Sequence, residues 1–152
     1  MLSWFLVLKF IHVLSAIVAV GLNISYGIWI FRAQRESAHT AFALKGVKFL
    51  DDRVANPAYG VLLITGLLMM WAASIPLTTL WIDIALALFV ALVVVAARFY
   101  TPTLRDQIKL VETGDTSSAA FTQLARRGQM LGQAMGVMVL AILVLMVFKP
   151  HL

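Results

Sequence analysis

The stretch Lys9-Phe10-Ile11-His12-Val13-Leu14-Ser15-Ala16 lies early in an apolar run from about Trp4 to Phe31. A run of that length crosses a hydrocarbon core of about 30 Å as a helix with some tilt. Within it Ser15, Ala19, Asn23 and Gly27 recur every four residues, with His12 one turn before Ser15 and Ala16. On a helix these positions form one small, polar stripe, and small residues at this spacing admit a second helix closely. The stripe is therefore expected to face protein, and His12 with it. A titratable ring in hydrocarbon needs a partner or a task.

Three more apolar runs follow, over about 54–73, 80–100 and 119–148. The 152 residues are 62% hydrophobic and 12% charged, too little charge to cover a soluble domain of this size. The fold class is an all-α integral membrane four-helix bundle, read as one transmembrane domain over residues 1–152. Residues 1–30 lack a basic start, and their apolar run exceeds that of a cleaved leader, so the first segment is expected to remain as a spanning helix. Phe42, Leu44, Val47, Phe49 and Leu50 alternate with charges after the first run, which predicts an interfacial helix over about 38–50. Asn56-Pro57 suits a helix start or a kink. The turn Ser74-Ile75-Pro76-Leu77-Thr78-Thr79 is short and uncharged, which predicts segments two and three as an antiparallel pair. In segment four Gly128, Gly132 and Gly136 repeat every four residues. With Gln129 and Gln133 beside them they form a helix-packing face, open to a homo-oligomer or a larger membrane complex.

Every Lys and Arg except Lys9 and Lys149 falls in the two long loops or their flanks. The positive-inside rule puts both loops in the cytoplasm and both termini outside, with Trp4, Trp71 and Trp81 at the outer boundary. The net charge of +5 is thus an orientation signal, and the chain lacks the basic, aromatic-interleaved patch of a nucleic-acid binder. With no cysteine, thiolate catalysis, disulfides and iron–sulfur clusters are excluded.

The orientation sets depth. Lys9 and His12 in the first run, Met69 and Met70 in the second, Asp83 in the third and Met146 in the fourth all come to the outer half. His12 then has several readings. As a buried ring bonded to Asp83, a serine or a carbonyl it holds helices together. As an axial haem ligand it has Met69 or Met70 as companions, since His and Met suit haem iron. As a metal ligand it joins Asp83 and Met146, with copper second to haem b as cofactor, because imidazole with thioether suits Cu(I). Proton transfer or quinone contact completes the set. His39 and His151 lie in a loop and at a terminus, so a bis-histidine haem within one chain is not expected.

The stretch around His12 resembles the first helix of a group of small bacterial membrane proteins that includes the domain of unknown function 2269. Asp52-Arg53-Val54-Ala55-Asn56-Pro57-Ala58, then Leu63-Ile64-Thr65-Gly66, resembles that family's second helix, and Leu145-Met146-Val147-Phe148-Lys149-Pro150 its C-terminus. The resemblance implies a bacterial cytoplasmic (inner) membrane. More remotely, the first helix is similar to the copper-resistance D-type domain and to the HemJ-type oxidase. There a first-helix histidine tied to haem or porphyrin chemistry would carry onto His12. The oxidase also uses a lysine deep in a later helix, which this chain lacks. Two main functions compete: a haem- or metal-associated redox protein centred on His12, and a non-catalytic structural or assembly subunit. Ion or small-solute transport is a third, weakened by the little room four helices leave for a pore.

Overall fold

The computed structural model describes residues 3–35, 37–76 and 79–150. Leu77, Thr78 and His151, which the sequence places in the turn and at the terminus, lie outside the described residues. Six α-helices are present among the described residues: α1 (Trp4–Arg35), α2 (Thr40–Leu50), α3 (Asn56–Ala72), α4 (Leu80–Val95), α5 (Thr101–Glu112) and α6 (Ala119–Phe148). A π turn at Asp51–Ala55 joins α2 to α3 in one unbroken run, and a second at Ala96–Tyr100 joins α4 to α5. The result is four long helices, each apolar and long enough to cross a membrane, in an all-α bundle. Large apolar side chains such as Phe10, Ile17, Ile64, Leu140 and Val147 cover its outside. That surface suits lipid tails and would be a liability in water.

Both π turns have the same local cause. Each ends against a proline that stands four residues after an arginine: Arg53-Val54-Ala55-Asn56-Pro57 and Arg98-Phe99-Tyr100-Thr101-Pro102. Proline has no N–H, and its ring presses on the carbonyl four residues back. The preceding turn widens in response. Asn56 N–H reaches the Asp51 carbonyl and Thr101 N–H reaches that of Ala96. The Thr103 hydroxyl donates to the Phe99 carbonyl at 2.7 Å. Such local rewiring is how a spanning helix tolerates proline without breaking.

Helix α1 packs along α3, and α4 packs along α6. At the end that carries the basic loops, α2 lies against α1 and α5, and α5 against α6. Thr40, Ala43, Leu44 and Val47 of α2 are buried, so one face of this segment packs on the bundle. One expectation changes here. Segments two and three approach closely through α2 and α5, where Lys45 pairs with Glu112 at 2.7 Å, and touch again through the Tyr59 and Phe89 rings. Their membrane portions, α3 and α4, make no close backbone approach. A short turn dictates antiparallel direction, but packing partners are chosen by side-chain faces.

The four-residue stripes also behave differently from expectation. A step of four residues overshoots a helical turn by about 40°, whereas seven residues fall short by only about 20°. In α1 the buried positions are accordingly Ala19, Tyr26 and Ala33, seven apart, while Gly27 has rotated into open space. In α6 Gly128 meets Gln107 and Thr103 of α5, but Gly132 and Gly136 have no neighbour within 4 Å. Met135 and Val139 are the buried residues there. They join Tyr26, Leu44, Leu92, Tyr100 and Leu104 in a core at the basic end. Leu104, 2% exposed, is the plug of this core. Leu104→Ala is expected to destabilise the protein by about 2–5 kcal/mol, read from the unfolding midpoint in mild detergent.

Candidate functional site

The ring of His12 is enclosed between α1 and α3. On α3, Thr65 is buried and its hydroxyl bonds back along its own helix, to the Val61 carbonyl at 2.7 Å. A hydroxyl has one proton. With that proton committed to Val61, the Thr65 oxygen faces His12 as an acceptor. His12 Nδ1–H therefore donates to Thr65 Oγ1, at 3.0 Å. This assigns the tautomer and leaves the lone pair on Nε2. The next residue, Gly66, makes the space: a Cβ there would stand 3.2 Å from His12 Cε1. One position supplies the acceptor and its neighbour supplies the room. A second polar bridge joins the same two helices nearer the basic end, where Asn23 Nδ2 donates to the Ala19 carbonyl and to the Tyr59 hydroxyl. Trp4 and Trp71 close the far end of the pair edge to face, with centroids 6.3 Å apart.

The other sequence candidates are placed as follows. Met69 and Met70 are on α3, one turn beyond Thr65 toward Trp71, and half-buried. Asp83 is in the first turn of α4 and exposed, where a carboxylate complements the helix dipole. Because α4 packs on α6 and not on α1, Asp83 is not brought to His12. Met146 is 37% exposed on α6. Lys149 instead extends over the Trp81 ring at 5.8 Å. No cluster of three His, Cys, Asp or Glu side chains suited to a metal is found among the described residues. Ser15 is half-buried on α1 beside the His12 level.

Sequence reasoning missed Thr65 and Gly66 as partners of His12, although both stand in a stretch singled out for its resemblance. Depth alone pairs a first-helix residue near 12 with a second-helix residue near 65. The missing information was which helix packs on which. It also missed a cleft of about 560 Å3 between α3 and α4, with Asp51, Asn56, Tyr59 and Arg105 in its lining.

The geometry makes a sign-specific prediction. Gly66→Ala is expected to destabilise the protein by about 1 kcal/mol when His12 is present, through crowding of the ring. In a His12→Ala background the same change is expected to stabilise by about 0.5–1 kcal/mol, since alanine is the better helix former. A double-mutant cycle on unfolding free energy reads this reversal directly.

A family model described as "Predicted integral membrane protein (DUF2269)" matches residues 6–150 of the chain. No curated protein and no solved structure matches it.

Proposed function

The chain belongs to the family of integral membrane proteins whose model it matches over residues 6–150, and from that premise we propose that it is a non-catalytic, multi-pass assembly subunit of a bacterial cytoplasmic membrane. Its basic loops face the cytoplasm and its termini face outward. The observation that carries this reading is the use made of His12. The one histidine inside a spanning run is bonded to Thr65 across the α1–α3 contact, a clamp between helices. The surface of α6 supports assembly. Gly132 and Gln133 are exposed on it, and an amide facing hydrocarbon is costly until it finds a partner. A second copy of the chain, laid along this face, satisfies both the amide and the empty space over Gly132 and Gly136.

One observation favours a second reading. Donation from Nδ1–H to a second group is the usual support of a ligating histidine, and in that tautomer the lone pair of His12 is on Nε2. That lone pair suits haem b, or copper, with Met69 or Met70 as the nearest thioethers along α3.

The two readings separate in one preparation. Protein purified in mild detergent is expected to be colourless and free of bound metal, His12→Ala to lose stability, and His12→Gln to retain most of it by donating to Thr65. A Soret band that disappears in both variants overturns the assembly reading in favour of haem. Assembly is tested on the cysteine-free chain itself: Gln133→Cys is expected to give disulfide-linked dimers in membranes, and Gly132→Leu to suppress them. Exclusively monomeric protein in both contradicts the proposed face.

A further inference from the structure

The cleft between α3 and α4 is polar at one end and apolar along its walls. At the basic end α2 and α5 close it below the two π turns. Above them α3 and α4 part, so the cleft opens sideways into the bilayer. Asp51 and Arg105 both line its polar end, and neither forms an ion pair among the described residues. Lys48, the cation nearest Asp51 on its own helix, is bonded to Asp52. Asn56 and Lys48 stand beside the Asp51 carboxylate, which keeps further acceptor capacity. Tyr59 accepts from Asn23, so its own hydroxyl proton is free for the cleft. Toward the bilayer middle the walls are Leu63, Phe89 and Val93, with the Phe89 ring edge-on to Tyr59 at 6.1 Å. From Asp51 to Leu63 the cleft runs roughly 18 Å along α3 at helical rise, about one leaflet.

A carboxylate and a guanidinium that form no ion pair with each other, in one opening that Asp52 also lines, ask for a ligand that carries both signs. The lateral opening and apolar walls ask for acyl chains. The depth puts the charged end at headgroup level. We propose that the cleft binds an amine-bearing phospholipid of the leaflet at the basic end. Its ammonium lies against Asp51, its phosphate against Arg105 and the Tyr59 hydroxyl, and one acyl chain runs along Leu63, Phe89 and Val93. The cavity volume of about 560 Å3 accommodates a headgroup with its glycerol and leaves the chains to the bilayer. This site is separate from His12 and does not depend on how His12 is used.

The test is native mass spectrometry of the full chain in mild detergent, titrated with phosphatidylethanolamine, phosphatidylglycerol and phosphatidylcholine of equal chain length. One bound phosphatidylethanolamine is expected to outcompete the other two. Asp51→Asn is expected to remove that preference, with a drop of about tenfold or more for the loss of a charge-assisted contact. Arg105→Gln is expected to weaken all three lipids together. Gly60 lines the cleft, and a Cβ added there meets nothing within 4 Å. Gly60→Leu therefore fills the cleft without disturbing the core, and it is expected to displace the lipid with the unfolding midpoint kept. Equal binding of the three lipids, or undiminished binding to Gly60→Leu, overturns the proposal. So does equal binding of free phosphoethanolamine, which would make the ligand a soluble one.

Discussion

Inside hydrocarbon every backbone N–H and C=O must find its partner within the protein, and two prolines in this chain test that requirement. Pro57 and Pro102 each remove a donor from the middle of a long helix. The chain answers with a π turn before each, relayed by Asn56 N–H and Thr101 N–H and completed by the Thr103 hydroxyl. Both helices thereby stay continuous for 33 residues. Each π turn divides its helix into a part toward the basic end and a membrane part. In the first α2 and α5 meet, and in the second α3 and α4 separate. The core at the basic end and the cleft above it are two consequences of one constraint.

The membrane part of the bundle contains two closely packed helix pairs, α1 with α3 and α4 with α6, and the first has polar fastenings. Between α1 and α3 these are His12 with Thr65, and Asn23 with Tyr59. Interhelical hydrogen bonds in membranes contribute only about 0.6 kcal/mol on average and about 1–2 kcal/mol at best. They therefore set register and rotation more than total stability. The main stabilisation comes from close contact, for which Ala19 at 0% exposure and Gly66 under the His12 ring provide the room.

Composition and the length of the apolar runs made the four spanning helices legible in the sequence, because hydropathy records the solvent and does not depend on partners. The inward facing of His12 was also legible, since a polar ring and a small-residue stripe shared a face. Helix pairing was not. The short turn after Ala73 suggested that the second and third spans lie together, yet loop length carries no information about side-chain faces. The four-residue glycine and alanine stripes were over-read for a geometric reason: they drift off a straight helix, so Ala19 and Gly128 pack while Gly27 and Gly132 do not. The π turns left a trace in the sequence, the arginine four residues before each proline. It becomes readable only once both π turns are seen.

The central claim is that the membrane bundle is two helix pairs joined at the basic end, with α3 and α4 held apart. Pulsed electron paramagnetic resonance on the cysteine-free chain tests it most directly. One pair of spin labels replaces Lys45 and Glu112, across α2 and α5, and another replaces Ile64 and Ile84, across α3 and α4. The account predicts a short, narrow distance for the first pair. For the second it predicts a distance well beyond the 8–10 Å axial separation of packed helices plus label length. Equally short distances for both pairs, in membranes and in detergent alike, would contradict it.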